Sequence, residues 1–135
     1  MENIRVGIAA MIRNSKGEIL MIKRKNAPAK NLYSFPGGGI QFGETIQQAT
    51  IREVKEETGL DIEVGKILTV GEAIERDKDI HRVVVVNEAK IRGGAAKPSD
   101  DAEDVLWISL EQIRKMEKNI SPYTINNLKS LGYIK

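Results

Sequence analysis

The chain has 135 residues, 41% of them hydrophobic and 30% charged, which suits one domain with a core of its own, spanning residues 1–135. It has no cysteine, which excludes disulfides and thiolate metal sites, and no apolar run of the roughly 18 residues that a spanning helix needs. A net charge of +2 does not by itself argue for nucleic acid, and Met1-Glu2-Asn3-Ile4-Arg5 lacks the pattern of a secretory signal, so a cytoplasmic protein is expected.

Arg5 to Arg13 is apolar nearly throughout, as in a strand buried on both faces. Asn14-Ser15-Lys16-Gly17 reads as a turn and Glu18 to Lys25 as a second strand, which together predict a hairpin. A polar loop over Asn26 to Leu32 leads to a short extended piece at Tyr33-Ser34-Phe35 and then to Pro36-Gly37-Gly38-Gly39, a glycine-rich loop. Thr45 and Gln48 have capping-box spacing, which starts a helix at Ile46, and Gly59 after Thr58 is a natural left-handed stop. Ile62 to Glu75 and Ile80 to Ile91 are β-rich, Arg92 to Asp101 is a polar loop, and a short strand surrounds Trp107. Ser109 caps a helix through about Lys118, and a last helix runs from about Ser121 to Leu131. With aromatics at 4%, the core is expected from Ile, Val, Leu and Ala, in an α/β arrangement with helices covering a sheet.

The chemistry concentrates on the first helix. At about 100° per residue, Glu53, Glu56 and Glu57 fall within an arc of roughly 100° on one face. Three carboxylates so close repel one another unless a cation intervenes, and several oxygen donors on one rigid face suit Mg²⁺ or Mn²⁺. Ile51 and Val54 point to another side for packing, and Lys55 faces solvent. The preceding glycines can expose a carbonyl to a metal or amides to a phosphate. Lys23, Arg24, Lys25 and Lys30 lie close together upstream; cationic and anionic walls would suit a phosphate ligand with its own metal ion, the plain alternative for the basic cluster being solvated surface.

Gly38, five residues, Glu44, seven residues, then Arg52-Glu53-Val54-Lys55-Glu56-Glu57-Thr58-Gly59-Leu60 resembles the Nudix box at every fixed position of G-x5-E-x7-R-E-U-x-E-E-x-G-U, U being a bulky aliphatic. The box covers residues 38–60; Phe35-Pro36-Gly37-Gly38 before it and Trp107-Ile108-Ser109-Leu110 after it are similar to the family's usual flanks. The resemblance implies an α/β/α sandwich around a central mixed β-sheet. It also implies hydrolysis of a nucleoside diphosphate linked to another group, in which water attacks phosphorus with the help of divalent metal. Carried over by position, Glu53, Glu56 and Glu57 would bind metal with the Gly37 carbonyl, and Glu53 or Glu56 would be the general base. Arg52 resembles the box arginine that orients these acids, and Glu44 is placed to hold Arg52 or the loop. Arg24 and Gly38 are expected at the substrate phosphate. Asp101 and Asp104 are the candidates for an extra acid after the box. His81 and Trp107 are expected to be structural, and Tyr33 and Phe35 to pack.

The box reports chemistry, not substrate. Marks of other subgroups are absent: Glu75 stands where one large group of ADP-ribose hydrolases has proline, Arg76-Asp77-Lys78 where dinucleoside-polyphosphate hydrolases have tyrosine, and the Gln-Pro-Trp run of NADH-type members is missing. The remaining resemblance is to MutT-like and small ADP-ribose pyrophosphatase-like members. The expected substrate is an ADP-ribose-like nucleoside diphosphate derivative or a nucleoside triphosphate, with a MutT-type dNTP pyrophosphohydrolase as the alternative. A non-catalytic nucleotide sensor and an RNA 5′-end hydrolase stand further off. The resemblance also leaves room for a homodimer; no membrane or nucleic-acid partner is expected.

Overall fold

The computed structural model describes residues 3–97 and 102–135. In chain order its elements are β1 (Ile4–Ile12), β2 (Ile19–Arg24), β3 (Tyr33–Ser34), β4 (Gly37–Gly39), α1 (Ile46–Thr58), β5 (Asp61–Glu75), β6 (Ile80–Gly93), β7 (Ala102–Ile108), α2 (Leu110–Lys115) and α3 (Pro122–Ser130). Strands in the order β4-β1-β6-β5 form one sheet and β3-β2-β7 a second. The first is mixed, since β1 runs parallel to β6 while β4 and β5 pair antiparallel with their neighbours.

β1 sits inside its sheet because it is apolar on both sides. Its even residues Ala10 and Ile12 join Val54 of α1, Leu60 and Ala89 in one core. Its odd residues Ala9 and Met11 join Val86, Ile113, Ile125 and Leu128 in another, under α2 and α3. Alternation along one strand thus builds the two cores of an α/β/α sandwich. Buried Asn87 donates from its amide to Thr50 of α1 at 3.1 Å, fixing helix to sheet. Leu128 is fully buried on α3, so Leu128→Ala is expected to cost about 2–5 kcal/mol of stability. Urea unfolding should show a lower midpoint with an unchanged slope, and an unchanged midpoint would rule out that packing role.

Three expectations are corrected. The turn at residues 14–17 forms, with the Gly17 amide donating to the Asn14 carbonyl at 3.0 Å, but antiparallel pairing persists only as the Arg13–Ile19 bridge. β1 and β2 then separate into different sheets, because β1 pairs with β6 along its whole length and β2 with β7. Gly37–Gly39 is a strand rather than a turn, paired antiparallel with β1. Gly37 is required there by close approach: a Cβ on it would drive into the Ile8 carbonyl. α2 also ends earlier than expected, passing at Met116 into a 3₁₀ turn over Glu117–Asn119.

Candidate active site

α1 has the ends its sequence encodes. Thr45 Oγ1 accepts the Gln48 amide at 3.1 Å and Gln48 Oε1 accepts the Thr45 amide at 3.0 Å, while Gly59, at φ 77°, closes the helix in the left-handed conformation. With the helix so fixed, its position against β4 follows from strand alternation. Pro36 and Ile40 hydrogen-bond to β1, so the backbone groups of Gly37 and Gly39 between them face the other way, toward α1. The Gly37 amide accordingly donates to Glu57 Oε1 at 2.8 Å, and the Gly39 carbonyl accepts from Arg52 Nη2 at 3.0 Å. The Gly37 carbonyl, on the same side of the strand as its amide, points toward the helix too.

Arg52 organises the acids. Nε and Nη2 grip Glu44 in a fork at 2.6 and 2.9 Å, and Nη1 donates to Glu53 at 2.8 Å and to Glu56 at 3.3 Å. The hydrogen bond from Arg52 holds the Glu44 carboxyl below the usual carboxylate range, and Glu44 in turn raises the Arg52 pKa. Glu57 is buried at 3% exposure. The Glu53 carboxylate lies over Gly38, where a Cβ would come within 2.6 Å of it. The missing side chain at Gly38 is the space that lets this carboxylate meet the strand.

Glu53 and Glu57 line one cavity of about 240 Å³ with Gly37, Gly38 and Gly39, facing Arg24, Lys25 and Arg82. Arg24, Arg82, Gly37 and Gly38 also line an adjoining cleft that runs to Phe35, Gly71 and to Tyr123, Thr124 and Asn127 of α3. Burial, then the neighbouring charges of Arg24 and Arg5, lower the Arg82 pKa, so this guanidinium gains from an anion beside it. The donors on the acidic wall are all hard oxygens, which fits Mg²⁺ or Mn²⁺ and not a soft metal.

Of the residues expected at the site, the fold brings together Glu53, Glu57, Gly37, Gly38 and Arg24, with Arg52 behind them. Among the described residues no three Asp, Glu or His side chains already form a metal cluster; Glu57 meets the Gly37 amide, while Glu53 and Glu56 meet Arg52. Glu56 is 42% exposed and joins the group through Arg52, because it stands at the edge of the helical arc that Glu53 and Glu57 define. Asp104 accepts the Tyr33 hydroxyl at 2.7 Å and the Val105 amide at 2.9 Å, and it does not line the cavity. Burial and this bond push the Tyr33 phenol up to about 12. Asp101 lies outside the described residues. Phe35 is buried, Trp107 packs beside the α1-side core, and His81 lies 3.9 Å from Glu72. Arg82 and Asn127 were missed; the available signal for Arg82 was a cation set directly before the run Val83 to Val86.

The model of the NUDIX domain matches residues 3–128. The chain is similar to ADP-ribose pyrophosphatase of Methanocaldococcus jannaschii, 39% identical over 110 residues, a match covering 78% of this chain and 65% of that one. It therefore spans less than two thirds of that relative's length. Its fold matches a MutT NUDIX hydrolase from Burkholderia pseudomallei with a TM-score of 0.84 at 30% identity, covering 95% of this chain and 98% of the other. A bifunctional NMN adenylyltransferase/ADP ribose pyrophosphatase from Francisella tularensis, complexed with AMP and a Mn ion, matches at a TM-score of 0.75 and 26% identity, covering 97% of this chain and 42% of that one. A domain match over nearly the whole chain, joined to a mixed sheet that superposes on these proteins, shows that the chain belongs to the Nudix hydrolase family.

Proposed function

We propose that this chain hydrolyses the diphosphate linkage of an ADP-ribose-like nucleoside diphosphate derivative, using Mg²⁺ or Mn²⁺. The observation that carries the reading is one cavity lined by Glu53, Glu57 and three glycines together with Arg24, Lys25 and Arg82. The name of the Methanocaldococcus jannaschii relative supports the substrate class. A cavity of about 240 Å³ is smaller than the roughly 300–1,000 Å³ of a typical ligand pocket. It holds the diphosphate, and the nucleoside continues into the adjoining cleft through the shared residues Arg24 and Arg82.

Glu53, Glu57 and the Gly37 carbonyl would hold the cation, which would neutralise the diphosphate and lower the pKa of the attacking water. Glu56, held by the longest of the Arg52 contacts with the acids, would be the third carboxylate within reach of that cation. Glu53 or Glu56 takes the water proton, oxygen bonds to one phosphorus, and the bond from that phosphorus to the bridging oxygen breaks. Arg24 and Arg82 bind non-bridging oxygens and stabilise the charge on the leaving phosphate.

A substrate panel with Mg²⁺ tests the reading. ADP-ribose should give AMP and ribose 5-phosphate. Pyrophosphate from dNTPs, with ADP-ribose untouched, would shift the assignment to the MutT-type reaction that the Burkholderia pseudomallei match favours. Nucleotide binding without any turnover would point to a sensor. Arg82→Ala is expected to raise KM about tenfold, the loss of one charge-assisted contact. Steady-state kinetics check this, and a KM within twofold of the parent removes Arg82 from the phosphate site.

A further inference from the structure

The loop between β2 and β3 walls both halves of the cleft: Lys25, Asn26 and Ala27 line the acid-and-glycine cavity, and Pro28 and Ala29 line the adjoining one. Its shape is not one the chain adopts unaided. Ala29 has φ 59°, left-handed backbone that alanine disfavours and that persists only where surroundings hold it. Ala29 is nevertheless buried, and its amide donates at 3.0 Å to Glu75 Oε2, at the far end of β5. The same carboxylate accepts the Tyr123 hydroxyl of α3 at 3.0 Å, and its other oxygen accepts Lys78 Nζ at 3.1 Å. On the opposite side of the loop, Arg24 Nε donates to the Pro28 carbonyl at 2.6 Å. The carboxylate and Arg24 thus grip adjacent residues of one loop, so a shift at Ala29 passes directly to the guanidinium in the cleft.

We propose that Glu75 is a positioning residue: by latching the Ala29 amide to β5 and α3 it sets the loop over residues 25–29, and through Pro28 the place of Arg24, for a nucleoside diphosphate. This inference rests on the substrate reading above. Glu75 does not touch substrate; it acts through the loop.

The test compares Glu75→Ala, Glu75→Gln and Glu75→Asp in the full chain, with Lys78→Ala as control. Glutamine keeps an oxygen within reach of Ala29 without the charge; aspartate keeps the charge but is one methylene too short. Hydrogen exchange of the Ala29 amide reads the latch without substrate. KM and kcat for ADP-ribose read its consequence. Glu75→Ala and Glu75→Asp should speed exchange at least tenfold and raise KM about tenfold, leaving kcat within about threefold. Glu75→Gln and Lys78→Ala should stay near the parent in all three. If Glu75→Ala does not fold, the aspartate and glutamine pair carries the comparison. Unchanged exchange in the aspartate variant overturns the proposal, as does faster exchange with unchanged KM. A glutamine variant as impaired as the aspartate one overturns it too, since charge would then be what matters. A parent protein that turns over no nucleotide fails before any variant is compared; that defeats the substrate reading and takes this inference with it.

Discussion

Glu57→Gln is expected to reduce turnover about a thousandfold while the protein stays folded. Both halves follow from where the side chain sits. Glu57 is 3% exposed and its Oε1 accepts the Gly37 amide at 2.8 Å, a bond that joins α1 to the glycine strand. Glutamine offers an amide oxygen at the same distance from the backbone, so that bond survives and little stability is lost. What disappears is one of the two carboxyl groups, with Glu53, that line the cavity. Several kcal/mol of transition-state stabilisation by a divalent ion corresponds to about three orders of magnitude in rate, at 1.36 kcal/mol per decade. Kinetics at saturating Mg²⁺, a Mn²⁺ titration and a thermal melt separate the effects. A melt like the parent's, weaker Mn²⁺ binding and a collapsed kcat are the expected set; near-normal kcat would remove Glu57 from the metal site.

The uneven legibility of this chain has a physical pattern. α1 could be read to the residue, because Thr45, Gln48 and Gly59 act within one or two turns of themselves, and the acids and Arg52 ride on the same helix. Features that need a distant partner were read wrongly or not at all. Three glycines in a row look like a loop from within; they become a strand because β1, some thirty residues earlier, offers its edge, at Gly37 at a distance no side chain would permit. The turn at residues 14–17 says that the chain reverses, but not that β1 will find β6 a better neighbour than β2. Arg82 enters the cleft because parallel pairing sets it beside Arg5, and antiparallel pairing beside Ala73. The acidic run before Trp107 does not announce that the pairing of β7 with β2 sets Asp104 opposite Lys23, with its carboxylate accepting the Tyr33 hydroxyl.

Arg52→Ala is expected to cost about a hundredfold in activity, at the upper end for a residue that orients metal ligands without touching the reacting atoms. An arginine has five N–H donors, and Arg52 makes five contacts: two to Glu44, one each to Glu53, Glu56 and the Gly39 carbonyl. Lysine, with three donors on a point charge, cannot reproduce the fork on Glu44 while reaching Glu53, so Arg52→Lys should recover little. Stability should carry a signature of its own. Glu44 is held below its ordinary pKa mainly by Arg52, so the folded state binds its proton more weakly than the unfolded state. That contribution is present above the unfolded value of about 4.5 and is lost as pH falls through the folded value. Arg52 stays protonated throughout the accessible range and adds no dependence of its own. The melting-temperature gap between the parent and Arg52→Ala should therefore be widest near neutrality and close on acidification below about pH 4.5. A gap that stays constant from pH 7 to pH 3 would mean that the Glu44 ion pair does not couple to folding, and that Arg52 supports the site through packing rather than charge.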